Sequence, residues 1–131
     1  MLKTKSVWSP IEKNKHGLRL LVTRFRGRGL PTSRYDVWMP SLGPSEELLR
    51  KFLGDEIAWT EFRREYKAEL YADGPIDERC KTIKNHGQKS SLRLIKTLAR
   101  SRPVTLLCHC AEEQEHCHRH LLQAEILSSR I

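Results

Sequence analysis

TLLCHCAEEQEHCHRHLL, residues Thr105 to Leu122, is the stretch on which the reading of this chain turns. Three of the four cysteines (Cys108, Cys110, Cys117) and four of the six histidines (His109, His116, His118, His120) fall inside it. An apolar run of Val and Leu leads in from Val104, and a helix-like run, CHRHLLQAEIL, leads out. A short β-branched and leucine-rich run reads as a buried strand. The cluster therefore stands where a strand hands over to a helix, the place where α/β proteins usually put chemistry.

Working outward, Pro103 stops a preceding helix that is capped at Ser90 or Ser91, runs through Ala99 and buries Leu92, Ile95 and Leu98. Ile76, Cys80 and Ile83 are spaced as one earlier helical face, with Cys80 a small core residue. Further upstream, Trp59, Phe62, Tyr66 and Leu70 recur at helical spacing within about Glu56–Tyr71, and such an aromatic stripe reads as core. Ser45 is a good N-cap for a short helix over Glu46–Leu53, with Glu46 and Glu47 favourable to the helix dipole and Gly54 a stop. His16 to Thr23, HGLRLLVT, reads as a second buried strand. Strands joined through helices give an α/β class: a small single domain over 1–131, a mostly parallel sheet with helices packed around it, and residues 1–15 as a mobile basic N-terminus.

Composition narrows the function classes. No run approaches the ~20 apolar residues that a membrane span needs, so a soluble, cytoplasmic protein is expected. Thiols stay reduced there, and four cysteines then suggest metal, catalysis or burial in preference to a disulfide frame. The formal charge is +8, and it is unevenly placed. Residues 1–34 and 79–102 are basic blocks around an acidic segment, 35–78. Converging blocks would favour an anionic small molecule or nucleic acid; solvated surface is the bland alternative.

Three arginines, Arg24, Arg26 and Arg28, alternate through the loop after the second strand among Gly27 and Gly29, and forked guanidinium groups there, together with Arg119 of the Cys/His stretch, could hold an anion. In the Cys/His stretch, Cys110 or Cys117 beside Arg119 and near a helix N-terminus would have its thiolate favoured and could act as a nucleophile, with Glu112 and His118 as proton-transfer or orienting groups. The HCx5R phosphatase loop does not fit, since the nearest arginine, Arg119, lies too far along. A zinc-type metal held by Cys108, Cys110, Cys117 and His120, or His118, is the alternative, although the spacing matches none of the usual finger patterns. A non-catalytic nucleic-acid module is a third reading, weakened by the absence of aromatics interleaved in the basic blocks.

Asp36-Val37-Trp38, Gly43-Pro44-Ser45 followed by Leu48-Leu49-Arg50-Lys51, Trp59-Thr60-Glu61-Phe62, Tyr66-Lys67-Ala68-Glu69-Leu70 and Thr105-Leu106-Leu107 resemble the DUF488 family, including its YeaO-like branch, over about residues 18–125. That branch carries an Asp-Arg pair after its first strand; here Thr23-Arg24 stands there, so the arginine is kept and the acid is not. Cys110-Ala111-Glu112 and Cys117-His118-Arg119 resemble the CxE and CHR elements of other members of the wider family. The resemblance implies a small α/β fold in which the two strand ends lie close together, and implies no particular activity.

Overall fold

The computed structural model describes residues 1–72 and 87–131; the expected helix face at Ile76, Cys80 and Ile83 lies outside the described residues. Among the described residues, four strands and five α-helices follow in the order β1 (Leu2–Ser6), α1 (Lys13–His16), β2 (Leu18–Leu21), β3 (Val37–Trp38), α2 (Glu46–Leu53), α3 (Trp59–Leu70), α4 (Lys89–Ser101), β4 (Val104–Cys108) and α5 (His118–Leu127). The sheet order is β1-β4-β2-β3, and every pairing is parallel. Leu18 lies opposite Val104 and Leu20 opposite Leu106, so the two apolar runs of the sequence are neighbours. The fold is α/β.

The position of each strand explains its composition. β4 lies between β1 and β2 and is buried at all five residues, hence its run of Val, Thr and Leu. β1 is an edge strand, LKTKS, buried only at Leu2 and Ser6. Its lysines suit an edge exposed to water, and they are why these residues read from sequence as a basic N-terminal stretch without a strand. β3 is the opposite edge, two exposed residues long, and the buried Arg19 of β2 ties it down: its guanidinium reaches Asp36 Oδ1 at 3.1 Å, and its backbone N–H donates to Asp36 Oδ2 at 2.8 Å.

Alternation along the strands sorts side chains between two faces. Leu20, Val22, Val104 and Leu106 join Phe62, Tyr66, Leu70, Leu92, Ile95, Leu122 and Ile126 in the main core, which the helices cover. Leu21 and Leu107 point the other way and meet Val7 and Leu30, with Tyr35 packed on them, so connecting segments cover that face. The α2 range matches its sequence signals residue for residue: Ser45 Oγ accepts from the Leu48 N–H at 3.2 Å, and the Gly54 N–H donates to the Arg50 carbonyl. The aromatic stripe of α3 is core, as its spacing implies; Phe62 and Tyr66 are buried, and the Tyr66 hydroxyl donates to the Leu42 carbonyl at 2.5 Å.

Candidate functional site

The site is built by β4 handing the chain to α5. Cys108 shares the helix-covered face with Leu106, and His109 turns to the other. After the exposed segment 111–116, Cys117 takes the N-cap position of α5 with extended backbone, which brings its side chain back over the end of β4. Cys108 and Cys117 are buried and their sulfurs stand 3.0 Å apart. Cys110 is half-buried, and the three Sγ atoms all lie within 4.8 Å of one another.

Arg119, in the first turn of α5, is the largest fully buried side chain, at 1 % exposure. Its Nη1 donates to Cys108 Sγ at 2.9 Å and to the Cys110 carbonyl at 3.4 Å, while Nη2 donates to the Ala111 and Glu112 carbonyls at 3.1 and 3.0 Å. One planar cation thus braces the whole turn after β4 and sets its charge beside the thiols. Buried His118 bonds the Val22 carbonyl through Nε2 at 2.7 Å. A carbonyl only accepts, so Nε2 carries the proton; Nδ1 then keeps its lone pair, 3.9 Å from Cys117 Sγ. Burial holds the His118 pKa below the ordinary histidine value. Tyr66 meets the imidazole edge-on, with centroids 5.7 Å apart.

The three thiols share their protons. Cys110 is held well below the usual thiol range, first by the hydrogen bonds of Cys108 and Cys117, with the charge of Arg119 adding to them. The bond to Cys110 raises Cys108, and the bonds to Cys108 and then to Cys110 raise Cys117. Arg119 contacts Cys108 more closely than it does any other sulfur, which by itself would favour charge there. A neutral Cys108 reconciles the two, accepting from the guanidinium and donating onward to Cys110. The less buried sulfur then bears the charge, where desolvation costs least.

Other residues singled out by sequence are placed differently. His120 bonds the Gln114 carbonyl through Nε2 at 3.0 Å and is not part of the sulfur cluster. His116 is exposed and stacks on Trp59, with centroids 4.6 Å apart. The Glu112 carboxylate turns toward β1, accepting the Ser6 N–H at 2.7 Å and pairing with Lys5 at 3.5 Å. Arg24 donates to the Gly43 carbonyl at 2.9 Å and the Pro44 carbonyl at 3.2 Å. Arg26 and Arg28 are exposed, Arg26 touching the Tyr35 hydroxyl at 3.4 Å.

The two strand ends do meet, through His109: its Nε2 lies 3.3 Å from the Phe25 carbonyl, and a Cβ on Gly27 would fall 2.8 Å from its Cε1. Gly27, at φ +89°, is favoured by conformation, and the imidazole of His109 packs where a Cβ would stand. Sequence reasoning missed the Val22 carbonyl, for which no residue-type signal exists, and the contact of Tyr66 with His118, whose only trace is its place in the aromatic stripe of α3.

A small parallel α/β sheet with a thiol, imidazole and guanidinium cluster where its central strand turns into the last helix defines the class, and the chain belongs to the DUF488 family. The family model described as the active DUF488-N3 subclade matches residues 2–130. Among curated proteins, the chain is 30% identical over 108 residues to the uncharacterized protein YeaO of Escherichia coli (strain K12), covering 81% of this chain and 80% of that protein. No solved structure matches. Among the described residues, no helix is long and apolar enough to cross a membrane.

Proposed function

We propose that this protein is a thiolate-based enzyme or sensor in which Cys110 is the reactive nucleophile and the ligand is anionic, phosphorylated or nucleotide-like. The observation that carries the reading is the set of three sulfurs within 4.8 Å beside one buried guanidinium, with Cys110 as the half-exposed member. Cys108 and Cys117 stabilise that thiolate by donation, Arg119 fixes the turn, and His118 orients Cys117 from the far side. Exposed Arg26 and Arg28, on the loop packed against His109, supply the positive field for the ligand.

The test is alkylation by iodoacetamide at neutral pH in protein carrying Cys80→Ser. One thiol should react in a fast phase that Cys110→Ser abolishes. A fast phase surviving Cys110→Ser removes the reading.

A second reading is favoured by the same sulfur spacing: a zinc-type metal held by Cys108, Cys110 and Cys117. His118 fits such a site, since an imidazole whose Nε2–H is held by a backbone carbonyl, as here by Val22, presents Nδ1 in the orientation metal ligands commonly have. Elemental analysis of protein purified without added metal separates the two. Stoichiometric zinc lost on Cys117→Ser, together with slow alkylation, establishes the metal; metal-free protein with the fast thiol establishes the nucleophile.

A further inference from the structure

A groove of about 550 Å³ opens on the side of β4 away from the sulfurs, lined by Ser6, Trp8, Pro10, His109 and Glu112 among others. We infer that this groove is a nucleobase site, with Trp8 as the stacking platform and Glu112 as the acceptor that reads the edge of the base. The inference narrows the anionic ligand proposed above to a nucleotide. It rests on that reading for the phosphate, while the base groove stands on its own contacts.

Trp8 is 52 % exposed, unusual for a tryptophan, and its backbone and ring each have a neighbour. Its backbone N–H donates to Ser6 Oγ at 3.3 Å. Arg34 sits on the ring, its guanidinium carbon 5.8 Å from the centroid, and donates to the Ser9 carbonyl at 3.2 Å. A solvent-facing aromatic surface beside polar groups is what stacking on a base requires. Glu112 is fixed: Oε2 takes the Ser6 N–H at 2.7 Å and Oε1 faces Lys5 at 3.5 Å, while the side chain stays 43% exposed. A carboxylate offers about four lone-pair positions, so both oxygens keep capacity to accept a pair of adjacent N–H groups. Guanine carries such a pair. His109, with Nε2 at the Phe25 carbonyl, presents Nδ1 as a further acceptor.

Charge decides between the two planar N–H donors that fit a tryptophan and a carboxylate. A guanidinium ligand would approach a chain of formal charge +8, with Lys5 on Glu112 and Arg34 on Trp8. An anionic nucleotide is attracted by the same field. Position agrees, since the groove lies beyond the carboxyl ends of adjacent parallel strands β1 and β4, where open α/β sheets place ligands.

Isothermal titration with guanosine 5′-monophosphate, ribose 5-phosphate, guanosine and arginine amide tests the site. GMP should bind, ribose 5-phosphate should bind more weakly, and Trp8→Ala should weaken GMP by about tenfold, the factor that a lost base–aromatic stack carries. Glu112→Gln should reduce the preference for GMP over AMP. Trp8→Ala should leave the fast alkylation of Cys110 unchanged, which separates this site from the thiol. Guanosine binding as tightly as GMP would support the groove and remove the phosphate reading. Ribose 5-phosphate or arginine amide binding as tightly as GMP, or unaltered GMP affinity in Trp8→Ala, would overturn the inference.

Discussion

Arg119→Met tests how the site is held together. The substitution keeps an unbranched stem of similar reach and deletes four hydrogen bonds: one to Cys108 Sγ and three to the carbonyls of residues 110, 111 and 112. Hydrogen bonds from a charged group contribute about 1.5–3 kcal/mol each, but that sum is not realised. Residues 111 and 112 are exposed, so water replaces the guanidinium at their carbonyls, and removing a buried cation relieves its desolvation. The uncompensated losses are the buried sulfur contact and the brace itself, for a net destabilisation of about 3 kcal/mol.

Urea unfolding measures it. With a slope of about 2 kcal/mol/M the midpoint should fall by about 1.5 M. Arg119→Lys keeps the charge and loses the fork, so it should fall between Met and the parent. Thiol reactivity should change with stability, because Cys108 loses its donor. A midpoint shift under about 0.5 M in Arg119→Met would refute the claim that this residue braces the turn.

Three further outcomes are expected. Gly17→Ala places a Cβ 2.1 Å from the Pro103 carbonyl oxygen at φ +61°, and should cost about 3 kcal/mol or more in chemical denaturation; Gly29→Ala, at φ +72° in open space, should cost only about 1 kcal/mol. Leu106→Ala in the central strand should destabilise by about 3 kcal/mol while Leu94→Ala on the exposed side of α4 stays within about 0.5 kcal/mol, and equal effects in thermal melts would contradict the assigned core. The His16 pKa is lowered from 6.5 by burial, against Glu12 and with Lys5, Lys3 and Arg19. The unfolded chain therefore takes up the proton more readily, so this contribution is present above pH 6.5 and is lost as pH falls through the lowered folded value. His16→Gln should flatten the fall in stability on acidification, with part of the slope remaining from His118, which is shifted in the same direction.

The local signals settled a good deal. The Val and Leu of residues 104–108, the Ser45 and Gly54 boundaries of α2 and the stripe from Trp59 to Leu70 each follow from a short-range rule, namely burial of an apolar run, a capped terminus and helical periodicity, and each held in three dimensions. The crowding of Cys and His after β4 marked the place of the site in the same way, because chemistry-bearing side chains must be written into the sequence. β1 was hidden because an edge strand needs little apolar character once a central strand supplies its hydrogen-bond partners, so LKTKS looks like a basic arm.

Which members of the cluster work together was a tertiary matter. His120 and His118 are equally plausible by type, yet the turn of α5 sends one to Gln114 and buries the other against Val22. Arg24 and Arg119 look like free anion ligands in the sequence, but each is engaged by backbone carbonyls that no residue code announces. Trp8 and Glu112, 104 positions apart, share a groove only because β1 pairs with β4. The sequence by itself determined the strand, the helix and the presence of reactive groups, since these depend on neighbours along the chain. The partner of each group was decided by the parallel register of β1, β4 and β2, since strand pairing brings distant residues to within hydrogen-bond range.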